Sequence, residues 1–277
     1  MSIQPTNDLL GDLRNAHREI VAEWSKLTPL DFDRPSACSE WAIRDAIAHL
    51  RLLVTRYPLA VANGLSGRPE APWLHLLPGE TYATADRREW EEMRRRPGSA
   101  LVSEFAENAA IMIEFFGALG PDAQKAPAPT PRGTFQARHV PFFYTYELVI
   151  HDWDARAGLN PSAGLRPRLV PAFLRIFRSR LPALVKQPIP PAAGRDWRIR
   201  LADPIGQTWL MTFNGTGFQV SDEADPAGPP DLDTDLDTLA LITAARQTVA
   251  EATKAGRWRS ADAGAGEAFG SMFAGGV

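Results

Sequence analysis

Apolar residues recur every three to four positions over most of the first 157 residues, which is the period of an amphipathic helix. Four long helices are predicted from this pattern, beginning near residues 7, 40, 99 and 136. Ser39 is predicted to cap the second helix, and Gly120-Pro121 and Gly158 are predicted to end the third and the fourth. Residues 65–97 show no clear period beyond a short helical stretch near 86–95.

The pattern changes in the second half of the chain. After a basic amphipathic helix near residues 166–185, Trp197, Ile199 and Leu201 alternate with polar residues, as in a half-buried strand. Asn214-Gly215 predicts a hairpin that joins strands at 208–213 and 217–220, and a helix is predicted over 239–254. We therefore predict an α+β protein, with a helical bundle in residues 1–160 and a smaller α/β domain in residues 161–277.

Composition and charge exclude several classes of protein. The 277 residues carry a formal net charge of −3, which argues against a nucleic-acid partner. No apolar run is long enough for a membrane helix, and no signal peptide is recognisable at the start. The single cysteine, Cys38, cannot form an internal disulfide, which fits a reducing compartment. The expected location is the cytoplasm, with no membrane partner.

Glu147 and His151 carry the most informative spacing in the chain. Four residues of helix advance about 400° and roughly 6 Å, so both side chains point the same way, one turn apart. A third ligand from a neighbouring helix would complete a His/Glu/His site with open coordination positions, as in catalytic rather than structural metal sites. His49, which lies among the small residues Ala42 and Ala46 of the second helix, is the candidate for that third ligand.

Two segments resemble the signatures of the mycothiol-dependent maleylpyruvate isomerase family, a branch of the DinB-like four-helix metal enzymes. The first is Cys38-Ser39-Glu40-Trp41-Ala42-Ile43-Arg44-Asp45-Ala46-Ile47-Ala48-His49-Leu50, and the second is Glu147-x-x-x-His151-x-Trp153-Asp154. The resemblance implies a DinB-like four-helix bundle followed by a small, sterol-carrier-like α/β domain. It places the three metal ligands on His49, Glu147 and His151.

The resemblance also implies the chemistry. A divalent metal, with Zn²⁺ as the first choice, would bind mycothiol and hold it as a thiolate that attacks a small electrophile. The partners are then a small-molecule thiol and a small electrophilic substrate. A thiol S-transferase or thiol exchange is our leading interpretation, and a cis–trans isomerase of the maleylpyruvate type is the second.

Alternative roles stay open at the level of sequence. The same ligands could activate water in a metal-dependent hydrolase, or the chain could bind a metal or a ligand without catalysis. Asp154 is a candidate to orient a ligating histidine, and His17 or His139 could line the site. Cys38 is predicted to be a small buried residue rather than a nucleophile, and Trp24, Trp41 and Trp153 are predicted to lie in the bundle core.

Overall fold

The computed structural model describes residues 7–68, 73–131, 133–222 and 228–273. The chain forms two compact units, Met1–Phe173 and Leu174–Val277. Helices make up most of the first unit and a sheet organises the second, which confirms the α+β fold class. The predicted domain boundary at residue 160 stays a prediction. The first compact unit extends beyond it because Arg166 forms ion pairs with Glu23 and Asp152 of that unit.

Four long helices of the first unit form a four-helix bundle. Around the bundle, α1 contacts α5, α5 contacts α3, α3 contacts α6, and α6 contacts α1. The helices of this unit are α1 (Asn7–Trp24), α2 (Pro29–Phe32), α3 (Ile43–Leu65), α4 (Tyr82–Arg94), α5 (Gly98–Gly117) and α6 (Val140–Ala157). A further helix, α7 (Val170–Arg180), includes the point at which the two units divide.

Helix α6 is buried on nearly every side. All of its 18 residues except Phe143 and Arg156 are buried. A helix that is buried all round is expected to be apolar, yet α6 carries Glu147, His151, Asp152 and Asp154. Buried charged groups of this kind are costly unless each has a partner, so the polar residues of α6 mark positions where specific partners must be found.

The predicted start of the second long helix is wrong. Ser39 and Glu40 lie in a turn, where the Trp41 N–H donates to the Cys38 carbonyl and Glu40 has a φ of 66°. This left-handed conformation at Glu40 prevents the helix from starting there. Helix α3 begins instead at Ile43, where the carboxylate of Asp45 accepts a hydrogen bond of 2.9 Å from the Ala42 N–H.

The region without a clear period contains more structure than predicted. Helix α4 is longer than the stretch near 86–95, because Thr81 accepts a hydrogen bond from the Thr84 N–H and caps the helix four residues earlier. The proline-rich stretch after α5 is extended, as predicted. It also pairs as a strand, β1 (Pro127–Thr130), with the antiparallel strand β2 (Gly133–Gln136).

The second unit is built on a five-stranded sheet in the order β5-β4-β3-β6-β7. Strand β3 pairs with β6 in parallel and the other neighbours are antiparallel. The predicted hairpin is confirmed, because β4 and β5 flank the turn at Asn214-Gly215. The strands are β3 (Trp197–Leu201), β4 (Gln207–Phe213), β5 (Phe218–Asp222), β6 (Leu232–Thr234) and β7 (Trp258–Ser260).

The single helix predicted over 239–254 is wrong. Two helices occupy this region, α8 (Leu236–Thr243) and α9 (Val249–Lys254), because Ala245 turns to a φ of 54° and Thr248 caps a new helix. A last helix, α10 (Ala263–Ser271), forms in the Gly/Ala-rich tail. No helix within the described ranges is both long enough and apolar enough to cross a membrane.

Candidate metal centre

His49, Glu147 and His151 meet at the interface of α3 and α6. The Oε2 atom of Glu147 lies 3.6 Å from the Nε2 atom of His49 and 3.6 Å from the Nε2 atom of His151. The potential ligand atoms of the three residues all lie within 4.8 Å of one another, and the described part of the chain contains no other group of this kind. The structure thus brings together the three residues that the sequence placed on two separate helices.

Asp154 fixes the orientation of the His151 ring. Its carboxylate is fully buried and lies 2.9 Å from Nδ1 of His151, one helical turn away. With the Nδ1 proton donated to Asp154, Nε2 presents its lone pair toward Glu147 and His49. Burial lowers the pKa of His151, but hydrogen bonds to the carboxylates of Asp154 and Glu147 outweigh it, so the pKa lies above its ordinary value. The surroundings of this imidazole therefore favour a positive charge.

The donor set fits a divalent cation. Two ligand atoms of a tetrahedral Zn²⁺ site, each about 2.0–2.2 Å from the ion, lie about 3.4 Å apart. The separations of 3.6 Å between Glu147 and each histidine are close to that value. Two imidazole nitrogens and one carboxylate oxygen are ligands that suit Zn²⁺, and three protein ligands leave a position open for a further molecule.

Two tryptophans line the site on its accessible side. The ring of Trp41 stacks on His151 at 5.4 Å between centroids and lies 5.4 Å from His49. Trp90 of α4 lies 5.1 Å from Trp41 and 6.5 Å from His49. The side chain of His49 is 26% exposed, whereas those of Glu147 and His151 are 5% and 7% exposed. His49 is therefore the residue of the cluster that lies nearest to solvent, on the side of the two indoles.

Ion pairs hold α4, and with it Trp90, against α3. Arg94 binds the buried carboxylate of Asp45 through Nε and Nη2 at 2.8 and 3.2 Å. In the middle of α4, Arg56 donates to Glu89. No pattern along the chain joined Trp90 or Arg94 to the site, because their connection depends on how α4 packs. The one available signal was Trp90 itself, a large aromatic residue among the charged residues of α4.

One protein-family model matches more than half of the chain. The model of the mycothiol maleylpyruvate isomerase N-terminal domain matches residues 13–156, which include His49, Glu147 and His151. The chain belongs to this family. The resemblance read from the two signatures is thus confirmed, and it extends over the whole four-helix bundle.

Solved structures support the same fold. The chain is similar to the crystal structure of mycothiol-dependent maleylpyruvate isomerase, with 17% identity, a TM-score of 0.61, and coverage of 88% of this chain and 90% of that one. It is equally similar to a His-to-Ala mutant of that isomerase, with 16% identity and a TM-score of 0.62 over the same shares of the two chains. At this level of identity the likeness establishes the fold alone. No match was found among curated proteins.

The other two histidines considered for the site lie apart from it. His17 is buried on α1, where its Nε2 atom lies 2.7 Å from the Tyr144 hydroxyl. Burial lowers its pKa to about 3, so the imidazole is neutral. His139 precedes the first residue of α6, and its pKa is lowered, first by burial and then by Arg138. Neither belongs to the cluster of ligand atoms around Glu147.

The remaining predictions about single residues have mixed outcomes. Cys38 is buried, as predicted, and it lies in the turn before α3 rather than at the start of a helix. Trp24 and Trp153 are buried in the bundle. The prediction for Trp41 is wrong, because its half-buried ring packs against His151 and His49 instead of filling the core.

Proposed function

We propose that this chain is a metal-dependent enzyme that uses mycothiol to isomerise a small substrate with a cis double bond, of the maleylpyruvate type. The observation that carries the proposal is the His49/Glu147/His151 cluster within a domain of the mycothiol maleylpyruvate isomerase family. The family therefore favours isomerisation over the S-transferase that the sequence signatures alone led us to prefer.

His49, Glu147 and His151 would hold the cation, and Asp154 would keep Nε2 of His151 available as a ligand. A bound Zn²⁺ would lower the pKa of a thiol that coordinates it, which matters because a free thiol with a pKa near 8.5 is only a few per cent ionised at pH 7. Trp41 and Trp90 would offer flat apolar surfaces to the carbon atoms of the bound molecules.

The reaction itself needs a nucleophilic sulfur and no redox step. The sulfur forms a bond to one carbon of the conjugated carbon–carbon double bond. The π electron pair of the double bond moves toward the neighbouring carbonyl group. The remaining single bond can rotate, and return of the electron pair expels the thiolate and leaves the trans alkene. Thiol and substrate formulae are unchanged at the end, so the thiol acts as a cosubstrate that is regenerated.

The competing functions differ in what happens to the thiol. An S-transferase would release a stable thiol conjugate, a hydrolase would turn over without any thiol, and a non-catalytic binding protein would show no turnover. Free mycothiol requires a reducing compartment, so the proposal includes the cytoplasm as the place of action. Small-molecule thiol and substrate are then the partners.

The proposal is tested by titrating mycothiol into the Zn²⁺-loaded protein in a calorimeter, with metal-stripped protein as the reference. We expect binding only to the loaded form, because the cation provides the sulfur's site. Conversion of maleylpyruvate to its trans isomer is then followed by chromatography with catalytic amounts of mycothiol. We expect many molecules of substrate to be converted for each molecule of mycothiol added.

Two variants of the same chemical change provide the control. Glu147→Gln removes the buried carboxylate of the centre and should abolish both metal-dependent binding and turnover, whereas Glu92→Gln, on the exposed face of α4, should leave both unchanged. Accumulation of one thiol conjugate for each mycothiol consumed would indicate an S-transferase instead of an isomerase. Turnover without thiol would indicate a hydrolase, and equal binding to stripped protein would contradict the proposed centre.

A further inference from the structure

A groove of about 290 Å³ runs between α1 and α5 of the bundle, away from the cluster around Glu147. Its apolar walls are formed by Val21 of α1, by Ala106 and Ile113 of α5, and by two further alanines. Ile113 is buried at 2% exposure, while Ala106 and Val21 are half-buried. The small side chains along both helices leave a space that a slender apolar molecule can fill.

His17 lines one end of this groove and has one unused ring nitrogen. The imidazole is 5% exposed, and its Nδ1 atom is buried with no hydrogen-bond partner among the described residues. Its Nε2 atom lies 2.7 Å from the hydroxyl of Tyr144, which is itself fully buried. Nothing in the metal centre or the proposed reaction uses this histidine.

The hydrogen bond between His17 and Tyr144 can form in two ways, which differ in whether the unused Nδ1 atom carries a proton. If Nε2–H donated to the phenol, the Tyr144 O–H and the Nδ1 lone pair would both be left buried without partners. If the phenol donates to Nε2, the Nδ1–H is left and the phenol oxygen accepts nothing. Both arrangements leave Nδ1 without a partner, and we adopt the second because only an N–H can donate to the anion that the neighbouring arginines attract. The groove therefore contains a buried N–H donor in need of an acceptor.

Two arginines stand beside this donor. Arg14, His17 and Arg18 occupy positions i, i+3 and i+4 of α1, so they share one face of the helix. Both arginines are exposed, and neither forms an ion pair with a carboxylate of the described residues. Arg18 contacts the Asn15 side-chain oxygen. No acidic residue lines the groove, so this end attracts an anion and the other end, at Val21 and Ala106, is apolar.

We propose that the groove binds a small apolar carboxylate. One carboxylate oxygen accepts the Nδ1–H of His17, the arginines balance its charge, and the hydrocarbon part extends along Val21 and Ala106. At roughly 30 Å³ for each small group, the share of a water molecule in the liquid, the groove accommodates about ten non-hydrogen atoms. Octanoate has this size and is the probe of choice. This site is independent of the proposed isomerase reaction.

The test is calorimetric titration of octanoate into the full-length, Zn²⁺-loaded protein. We expect saturable binding at one site, unchanged in His49→Ala because the two sites share no residue. Octylamine, which has the same chain and the opposite charge, should bind at least tenfold more weakly. Equal binding of octylamine would overturn the carboxylate class, and no binding of octanoate at millimolar concentration would overturn the site.

Variants of α5 locate the ligand without touching His17. Ala106→Phe places a ring in the groove and should abolish octanoate binding, whereas Ile111→Phe on the exposed side of the same helix should retain it. His17→Leu fills the position with an apolar side chain and removes the N–H donor, so we expect the affinity for octanoate to fall at least tenfold. Octanoate binding that survives Ala106→Phe would place the ligand elsewhere and overturn the proposal.

Discussion

His151 and His17 are two equally buried histidines of the same bundle with opposite electrostatic behaviour. Each residue as a whole is 5% exposed, and each side chain makes a close hydrogen bond to another side chain. His151 lies between the carboxylates of Asp154 and Glu147, and its pKa is raised although burial alone would lower it. His17 meets only the neutral hydroxyl of Tyr144, and burial lowers its pKa to about 3.

The difference shows that burial by itself does not make a histidine a metal ligand. Desolvation disfavours the charged imidazole in both places. Only at His151 do two carboxylates supply the negative charge that a cation needs, and only there does an acidic partner fix which nitrogen keeps its lone pair. The bundle thus contains one environment suited to a cation and one suited to a neutral hydrogen-bond donor.

The largest difference between the two histidines is expected when each is replaced by alanine in a separate variant. His151→Ala should lower Zn²⁺ affinity more than 100-fold, because even loss of a residue that only orients a ligand typically costs 10–100-fold. His17→Ala should keep one equivalent of metal. Metal content after reconstitution and desalting, measured by mass spectrometry, separates the two outcomes. Circular dichroism checks that both variants remain helical, and full occupancy in His151→Ala would refute the assignment.

A subtler change tests the role of the carboxylate behind His151. Asp154→Asn preserves size and removes the charge that fixes the ring, so Zn²⁺ affinity should fall about 10–100-fold while stoichiometry at saturation stays at one. Competition against a chromophoric chelator measures this loss. The matched control is Asp33→Asn, whose carboxylate is 60% exposed and pairs with Arg44 at the surface. Unchanged affinity in Asp154→Asn would mean that Asp154 only stabilises the helix.

Much of the candidate metal centre could be predicted because most of its residues lie close together in sequence. Glu147, His151 and Asp154 lie within two turns of one helix, so their spacing alone placed them on a common face. His49 was a candidate partner because its neighbours on the second helix are small, and the family signature then assigned it to the same site, since nothing in the helical period of α3 points to α6. Trp90 could not be found in this way, because its position depends on the Arg94–Asp45 ion pair between α4 and α3.

The errors in the fold have local causes. The start of α3 was misplaced because Ser39 is a good capping residue in general, whereas here the left-handed Glu40 and the Asp45 carboxylate set the boundary. The helix over 239–254 was predicted as one because Ala245 is a strong helix former, and no sequence rule signals its positive φ. Both failures occur at single non-glycine residues with a positive φ, a conformation that helix propensity does not anticipate.

The smallest expected effect is a pH dependence that belongs to His17 alone. Its folded pKa of about 3 lies below the ordinary value of 6.5, so on acidification the unfolded chain takes up a proton that the folded protein does not. Stability linked to His17 is therefore present above pH 6.5 and falls as the pH drops toward 3, by about 1 kcal/mol between pH 6 and pH 5. Urea unfolding at a series of pH values should show a shallower decline for His17→Leu than for the unmodified protein. Identical slopes for His17→Leu and the unmodified chain would mean that His17 is not held neutral by burial.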